Sequence, residues 1–173
     1  MKAKEQKTGT KTETDPKARS KANVSRCSCT VLRKATRRVS QLYDMALAPS
    51  GLKITQRAIL AQIGRSETTN ISLLADALVM DSGALTHALR PLERDRFIVV
   101  EVNPDDRRHR LISLTPRGRA KLAQTDQLWD RAENGFQAAL GRTDAELLRT
   151  LLQRLISEDF AECFGNGLAD SVA

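Results

Sequence analysis

A chain of 173 residues, 40% of them hydrophobic, can bury one sizeable core, and a 3% aromatic share with abundant Leu, Ala and Arg favours helices. The net charge of +7 is unevenly spread: residues 1–26 hold eight Lys/Arg against three acids, residues 90–121 nine against five, and residues 122–173 four against nine. A basic middle beside an acidic end fits a protein that turns one side to a polyanion, although basicity alone fits a solvated surface equally well.

Composition and motifs also exclude function classes. No apolar run approaches the ~20 residues that span a bilayer, so no membrane partner is expected. The N-terminus lacks the apolar segment of a secretory signal, which points to a cytoplasmic protein. Three cysteines in a reducing compartment do not make a disulfide scaffold. An enzyme reading lacks a site: there is no phosphate-cradling Gly loop, no nucleophile elbow, and only two histidines, His87 and His109. No metal site and no cofactor are expected.

In chain order, residues 1–26 are Lys-, Thr- and Ser-rich and almost free of apolar side chains, so disorder is expected. Their role is open between a solubilising tail and a basic arm that tracks phosphates. From Thr30 to Leu47, Val31, Ala35, Val39, Leu42 and Ala46 fall at helical period, and Ala48-Pro49-Ser50-Gly51 ends the helix. Thr55 is the expected N-cap of a helix carrying Ala58, Ile59, Leu60 and Ile63 and ending near Gly64. Arg65 to Asn70 reads as a polar loop.

Residues 71–115 organise the rest. A short helix over 72–78, a turn, and a second helix opening at Asp81 form a helix-turn-helix. On the second helix Leu85, Ala88, Leu89 and Leu92 share one face, whereas Ser82, Gly83, Thr86, His87, Arg90 and Arg94 share the other. Pro91 removes one backbone bond and should kink this helix near Arg90. Strands over 97–102 and 110–115 come next, with Asn103-Pro104-Asp105-Asp106-Arg107-Arg108-His109 at the tip. A helix apolar on one side and basic on the other, leading into a basic hairpin, suits insertion into a DNA groove.

Three motifs here carry a resemblance to the MarR family of transcriptional regulators: Leu-Arg-Pro-Leu-Glu-Arg at 89–94, Asp106-x-Arg108 at the wing, and Ser-Leu-Thr-Pro-Arg-Gly at 113–118. The chain resembles the family from about Cys27 to Glu162. The resemblance implies a winged helix-turn-helix, with Asp106 bracing the wing and Arg108 entering the minor groove. It also implies a homodimer built by the first and last helices, and a cleft near Tyr43 that borders a ligand site. Packing is the plainer role of that tyrosine. The chain departs from the family in having Ser82, Gly83 and Ala84 where polar or basic residues are frequent, and Val79 and Arg96 where Gly is common.

Beyond the wing, Thr115-Pro116 is a strong helix start. The helix it opens carries Leu122, Trp129, Ala132, Phe136 and Leu140 toward a core and ends at Gly141. Thr143-Asp-Ala-Glu146 reads as a capping box for a last helix. There Leu147, Leu148, Leu151, Leu152, Leu155 and Ile156 form a two-column stripe that a monomer buries poorly.

The one unusual chemical feature is Cys27-Ser28-Cys29, at the edge of the first helix. The dipole together with Arg26 and Arg33 would favour thiolate there. Two readings stand: an oxidant sensor, with Cys163 after the last helix as the better disulfide partner, or small side chains filling a dimer core.

The expected architecture is mainly α with a small β-hairpin wing, a winged helix-turn-helix plus a helical dimerisation region. Residues 1–26 form a tail and 27–164 the domain. Within it the DNA-binding core spans about 53–115 and the dimerisation helices about 29–48 and 116–162; residues 165–173 are frayed. The expected partners are a pseudo-palindromic DNA operator, a second copy of the chain, and a small-molecule or oxidant effector. The DNA-contacting residues are Ser82, Thr86, His87, Arg90, Arg94, Asp106, Arg107, Arg108 and Arg110. Two other readings fit the same residues: an architectural protein that coats DNA without preference, and a winged-helix module that binds protein.

Overall fold

The computed structural model describes residues 26–104, 106–107 and 110–170. The N-terminal tail before Arg26 and the expected wing-tip residues Asp105, Arg108 and His109 lie outside the described residues. The chain divides into two compact units, 1–37 and 38–173. In the first, the described residues open α1 (Ser28–Leu47), and Val31 N–H donates to the Cys27 carbonyl at 3.1 Å, so Cys27 stands at the helix start. The remainder of α1 belongs to the second unit. Its expected apolar stripe is mostly uncovered: Leu42 is exposed, Val39 and Ala46 are half-buried, and only Leu47 is buried. A turn of 3-10 helix at Ala48–Ser50 and Gly51 at φ 73° end it, as the Pro and Gly require.

Helix α2 (Ile54–Ser66) differs from the expected start and stop. The cap does not come from Thr55. The amides at its start are met from two sides: Ile54 N–H donates to Asp44 Oδ1 at 2.7 Å, outside the helix, and Lys53 N–H donates to Oε1 of the helix's own Gln56 at 2.9 Å. The helix also runs past Gly64, which serves close packing and not termination. A Cβ there would lie 3.2 Å from Leu114 Cδ1 and 3.5 Å from Leu122 Cδ2. The stretch after α2 is not a polar loop, because it contains strand β1 (Thr68–Thr69), paired antiparallel with β3 through Thr68↔Ser113 and Thr69↔Ile112.

Helices α3 (Ile71–Leu78) and α4 (Ser82–Arg94) form the helix-turn-helix. Strands β2 (Ile98–Val102) and β3 (Arg110–Leu114) form the hairpin, and the sheet order is β1-β3-β2. Leu74 of α3, Leu85, Leu89 and Leu92 of α4, Ile59, Leu60 and Ile63 of α2, and Ile98, Ile112 and Leu114 of the sheet bury one core. Each such Leu or Ile contributes roughly 1.5–3 kcal/mol by leaving water. Helix α4 is thereby anchored through its apolar face.

Helix α5 (Pro116–Leu140) starts as expected: Thr115 Oγ1 accepts from Gly118 N–H at 2.9 Å. Its core side is thinner than the sequence implies. Trp129, Ala132 and Phe136 are half-buried and Leu140 is exposed; Thr125 is the fully buried side chain, donating to the Leu122 carbonyl at 2.6 Å. The capping box expected at Thr143 is absent, because α6 (Arg142–Leu155) begins at Gly141, whose φ of 89° turns the chain without any side-chain cap. The segment expected to fray at Gly165 is instead helical, since α7 (Glu158–Asp170) runs through it. Cys163 therefore lies inside a helix and not after the last one.

A polar cluster ties α1, α5 and α6 together. Tyr43 Oη donates to Glu133 Oε2 at 2.7 Å, and Arg149 Nη2 donates to Glu133 Oε1 at 2.7 Å. Burial pushes the Glu133 carboxyl up, but hydrogen bonds from Tyr43, Gln137 and Arg149 outweigh it and hold the group below the usual glutamate value. Burial, then the Glu133 acceptor, push the Tyr43 phenol well above its ordinary value.

Candidate nucleic-acid interface

The interface is built from helix ends outward. Asn70 caps α3, accepting from Leu73 N–H at 3.0 Å, and Asp81 caps α4, accepting from Gly83 N–H at 2.9 Å and Ala84 N–H at 3.0 Å. Both helices end in the same paired motif. After α3, Met80 N–H reaches the Ala75 carbonyl at 2.9 Å and Val79 N–H the Asp76 carbonyl at 3.1 Å. After α4, Phe97 N–H reaches Leu92 at 2.8 Å and Arg96 N–H reaches Glu93 at 2.9 Å. This closure requires a left-handed residue, which explains why Gly is common at both places. Here Val79 takes φ 50° and Arg96 φ 60°, at a steric cost a glycine would avoid.

These ends fix the pose of α4. Its outward face carries Ser82, Thr86, His87, Arg90 and Arg94, all exposed, while Leu85, Leu89 and Leu92 are buried. The helix is continuous through Pro91. The outward side chains are not equivalent. Thr86 Oγ1 donates back to the Ser82 carbonyl at 2.7 Å, and Arg94 Nε donates to Asp95 Oδ1 at 3.0 Å. That hydrogen bond lowers the Asp95 carboxyl below its usual value and raises the Arg94 guanidinium, so each holds the other charged. Among the described residues His87 and Arg90 have no hydrogen-bonding partner, and their donors remain available.

The hairpin places Arg110 at the outer end of β3, exposed, opposite Val102. Asp106 is half-buried and Arg107 exposed. The expected role of Arg108 falls outside the described residues. Along the same outward face of α4, His87, Arg90 and Arg94 share an open cleft of about 670 Å³ with Lys53, and Lys53 pairs with Asp44 at 3.6 Å.

Sequence reasoning missed several positions. It overlooked β1, whose signal is two β-branched threonines in a short polar stretch. It missed the Arg94–Asp95 pair, signalled only by adjacency. It also missed Gly118, where an added Cβ would lie 1.9 Å from the Phe97 carbonyl oxygen. That close approach seats the wing against α5, and Thr115 Oγ1 reinforces it by donating to the Arg96 carbonyl at 2.7 Å.

Two helices meeting across a tight turn, the second apolar behind and basic in front, with a three-stranded antiparallel wing, define a winged helix-turn-helix protein. The comparisons with known proteins are specific. The model of the MarR family matches residues 52–109. The chain is 34% identical to the M. tuberculosis transcriptional regulator MOSR, solved in complex with DNA, over 79% of this chain and 97% of that one, at a TM-score of 0.70. A probable transcriptional regulator from Pseudomonas aeruginosa shares 30% identity over 74% and 96%, at a TM-score of 0.68. The regulator SarZ of Staphylococcus aureus is 26% identical over 137 residues, 79% of this chain and 91% of SarZ. The chain belongs to the MarR family and is a transcriptional regulator.

Proposed function

We propose that the chain acts as a homodimeric repressor that binds a pseudo-palindromic operator on duplex DNA in the cytoplasm, and that it is not an enzyme. The observation that carries this reading is α4, buried on one side and presenting His87 and Arg90 with free donors on the other. Each α4 enters a major groove, where Arg90 is placed to pair with guanine. Ser82, Thr86 and His87 lie along the same groove. Arg94, steered by Asp95, and Arg107, Arg108 and Arg110 on the wing contact phosphate and the flanking minor groove, with Asp106 bracing the wing.

The DNA-binding core spans about 53–115, and helices at about 29–48 and 116–162 form the dimer. Support for the dimer is apolar surface left open in one chain: Leu147, Leu151, Leu152, Leu155 and Ile156 are all exposed, as are Leu42 and Met45. No described helix is long and apolar enough to cross a membrane, so these side chains suit a protein partner.

A small-molecule effector or oxidation of cysteine releases the DNA. Cys27, Cys29 and Cys163 are all exposed. Hydrogen bonds from the Thr30 side chain and backbone lower the Cys27 thiol below its ordinary value, a local cause in place of the expected Arg26 and Arg33. The sensor reading takes Cys27 and Cys29, with Cys163 as the disulfide partner: mild peroxide should weaken operator binding of the wild type and not of the Cys27→Ser, Cys29→Ser double variant.

The proposal is tested by measuring affinity for a promoter fragment and for scrambled DNA at one salt concentration. Equal affinities would favour an architectural protein, and absence of salt-dependent binding would favour a protein-interaction module.

A further inference from the structure

The cleft along the outward face of α4 has a second wall, which comes from outside the helix-turn-helix. Lys53, immediately before α2, lines it together with His87, Arg90 and Arg94 of α4 and Asp44 of α1. A helix with its side chains is about 10–12 Å across, and the major groove of B-DNA is about 12 Å wide. A helix in the groove therefore fills it, and groups standing beside that helix meet the phosphate strands that wall the groove. Lys53 is such a group.

The bonding around Lys53 leaves its ammonium available. Asp44 Oδ1 accepts from Ile54 N–H at 2.7 Å, while Asp44 Oδ2 lies 3.6 Å from Lys53 Nζ. The carboxylate is thus seated by the backbone of α2 and does not need the lysine to hold its place. The pair with Lys53 is longer than a hydrogen bond, and the lysine side chain is 70% exposed. Screened by water, so loose a pair contributes little, and the ammonium can exchange the carboxylate for a phosphate oxygen. Arg94 is held differently, by a 3.0 Å hydrogen bond to Asp95. Asp44 is the only acid among the described residues that line the cleft. It is therefore the one group there that both repels phosphate and competes for Lys53.

We propose that Lys53 is a further DNA contact, gripping a phosphate of the strand that walls the major groove beside α4, and that Asp44 restrains this contact by competing for the same ammonium. The proposal rests on the reading that α4 enters a major groove. A phosphate contact positions the protein without reading sequence, so its effect is the same on every duplex.

The test follows binding of the purified full chain by fluorescence anisotropy. One labelled duplex carries the DNA immediately upstream of the chain's own coding sequence, and the other is a scrambled duplex of equal length. Salt is varied between about 0.05 and 0.3 M. Lys53→Gln should lower the salt slope by about one and weaken both duplexes about five- to tenfold at about 0.1 M salt. Lys53→Arg keeps the charge and should keep the slope. Asp44→Asn keeps an oxygen for Ile54 N–H but removes the competing charge, and should tighten both duplexes about two- to fivefold. The opposite signs separate this account from a structural one: if Lys53 only steadied Asp44 and the start of α2, both variants would weaken binding. Thermal melts confirm that each variant is folded. Wild-type binding with an unchanged slope in folded Lys53→Gln would overturn the proposal alone. So would a folded Asp44→Asn that binds as weakly as Lys53→Gln. Absence of salt-dependent binding by the wild type would overturn the reading of α4, and this proposal with it.

Discussion

Helix α5 contains two glycines that the structure treats oppositely, and replacing each by alanine measures how tightly the wing is seated. At Gly118 a Cβ would stand 1.9 Å from the Phe97 carbonyl oxygen and 2.8 Å from its carbon. A carbon and a carbonyl oxygen settle at about 3.3 Å or beyond, so β2 and α5 must part by more than ~1 Å. The separation strains the Thr115 N–H to Phe97 carbonyl bond, now 3.1 Å, and opens the core beside Phe97. Overpacking costs about 1–3 kcal/mol and a lost hydrogen bond about 1, against roughly 1 kcal/mol gained in helix propensity. The net for Gly118→Ala is a loss of about 1–3 kcal/mol, or roughly 2–12 °C in melting temperature for a chain of this size. Gly135 has no atom within 4 Å of its would-be Cβ, so Gly135→Ala should stabilise by up to about 1 kcal/mol. Thermal unfolding followed by circular dichroism compares the two. A Gly118→Ala protein as stable as Gly135→Ala would refute the close approach of α5 to the wing.

Three further outcomes rest on the same geometry. Leu151 and Leu155, 48% and 37% exposed in one chain, should be covered in the dimer; changing both to Glu costs several kcal/mol of association, and sedimentation should report monomer. A folded double variant that sediments as a normal dimer would place the interface elsewhere. Arg90→Ala should relax base preference at one operator position by about 1–3 kcal/mol, whereas Arg110→Ala or Arg108→Ala should weaken all sequences alike and lower the salt slope by about one for each phosphate no longer neutralised. Tyr43→Phe removes a donor to Glu133 and should cost about 1 kcal/mol at neutral pH. Because the folded-state pKa of Glu133 is depressed, its contribution is present above the ordinary glutamate value of 4.5 and is lost as pH falls through the folded value. The gap between wild type and Tyr43→Phe should therefore shrink in acid urea melts, and a constant gap would contradict the assignment.

The fold was legible where local chemistry and global packing agree. Asp81 and Thr115 announce helix starts by their side chains alone, and the spacing of Leu85, Leu89 and Leu92 announces the buried face of α4. Legibility failed where long-range geometry decided. Asp44, ten residues before Ile54, caps α2, so Thr55 misled. Gly64 read as a stop and Gly118 was passed over, but Gly64 lets α2 pack on Leu114 and Leu122, and Gly118 lets α5 approach Phe97. β1 exists only through its pairing with β3, and two threonines cannot reveal that in sequence. The exposed face of α4 was readable from helical period, but which of its side chains keep free donors was not. That depends on Thr86 folding back to Ser82 and Arg94 leaning on Asp95.

The central claim, that two copies of α4 read a two-fold DNA site, is tested most directly by sequencing the genomic fragments retained by the purified protein. The expected result is one enriched motif of two inverted half-sites, centred about 34–36 Å apart, or 10–10.5 base pairs. Retention of fragments without any shared motif, or no retention at low salt, would contradict it.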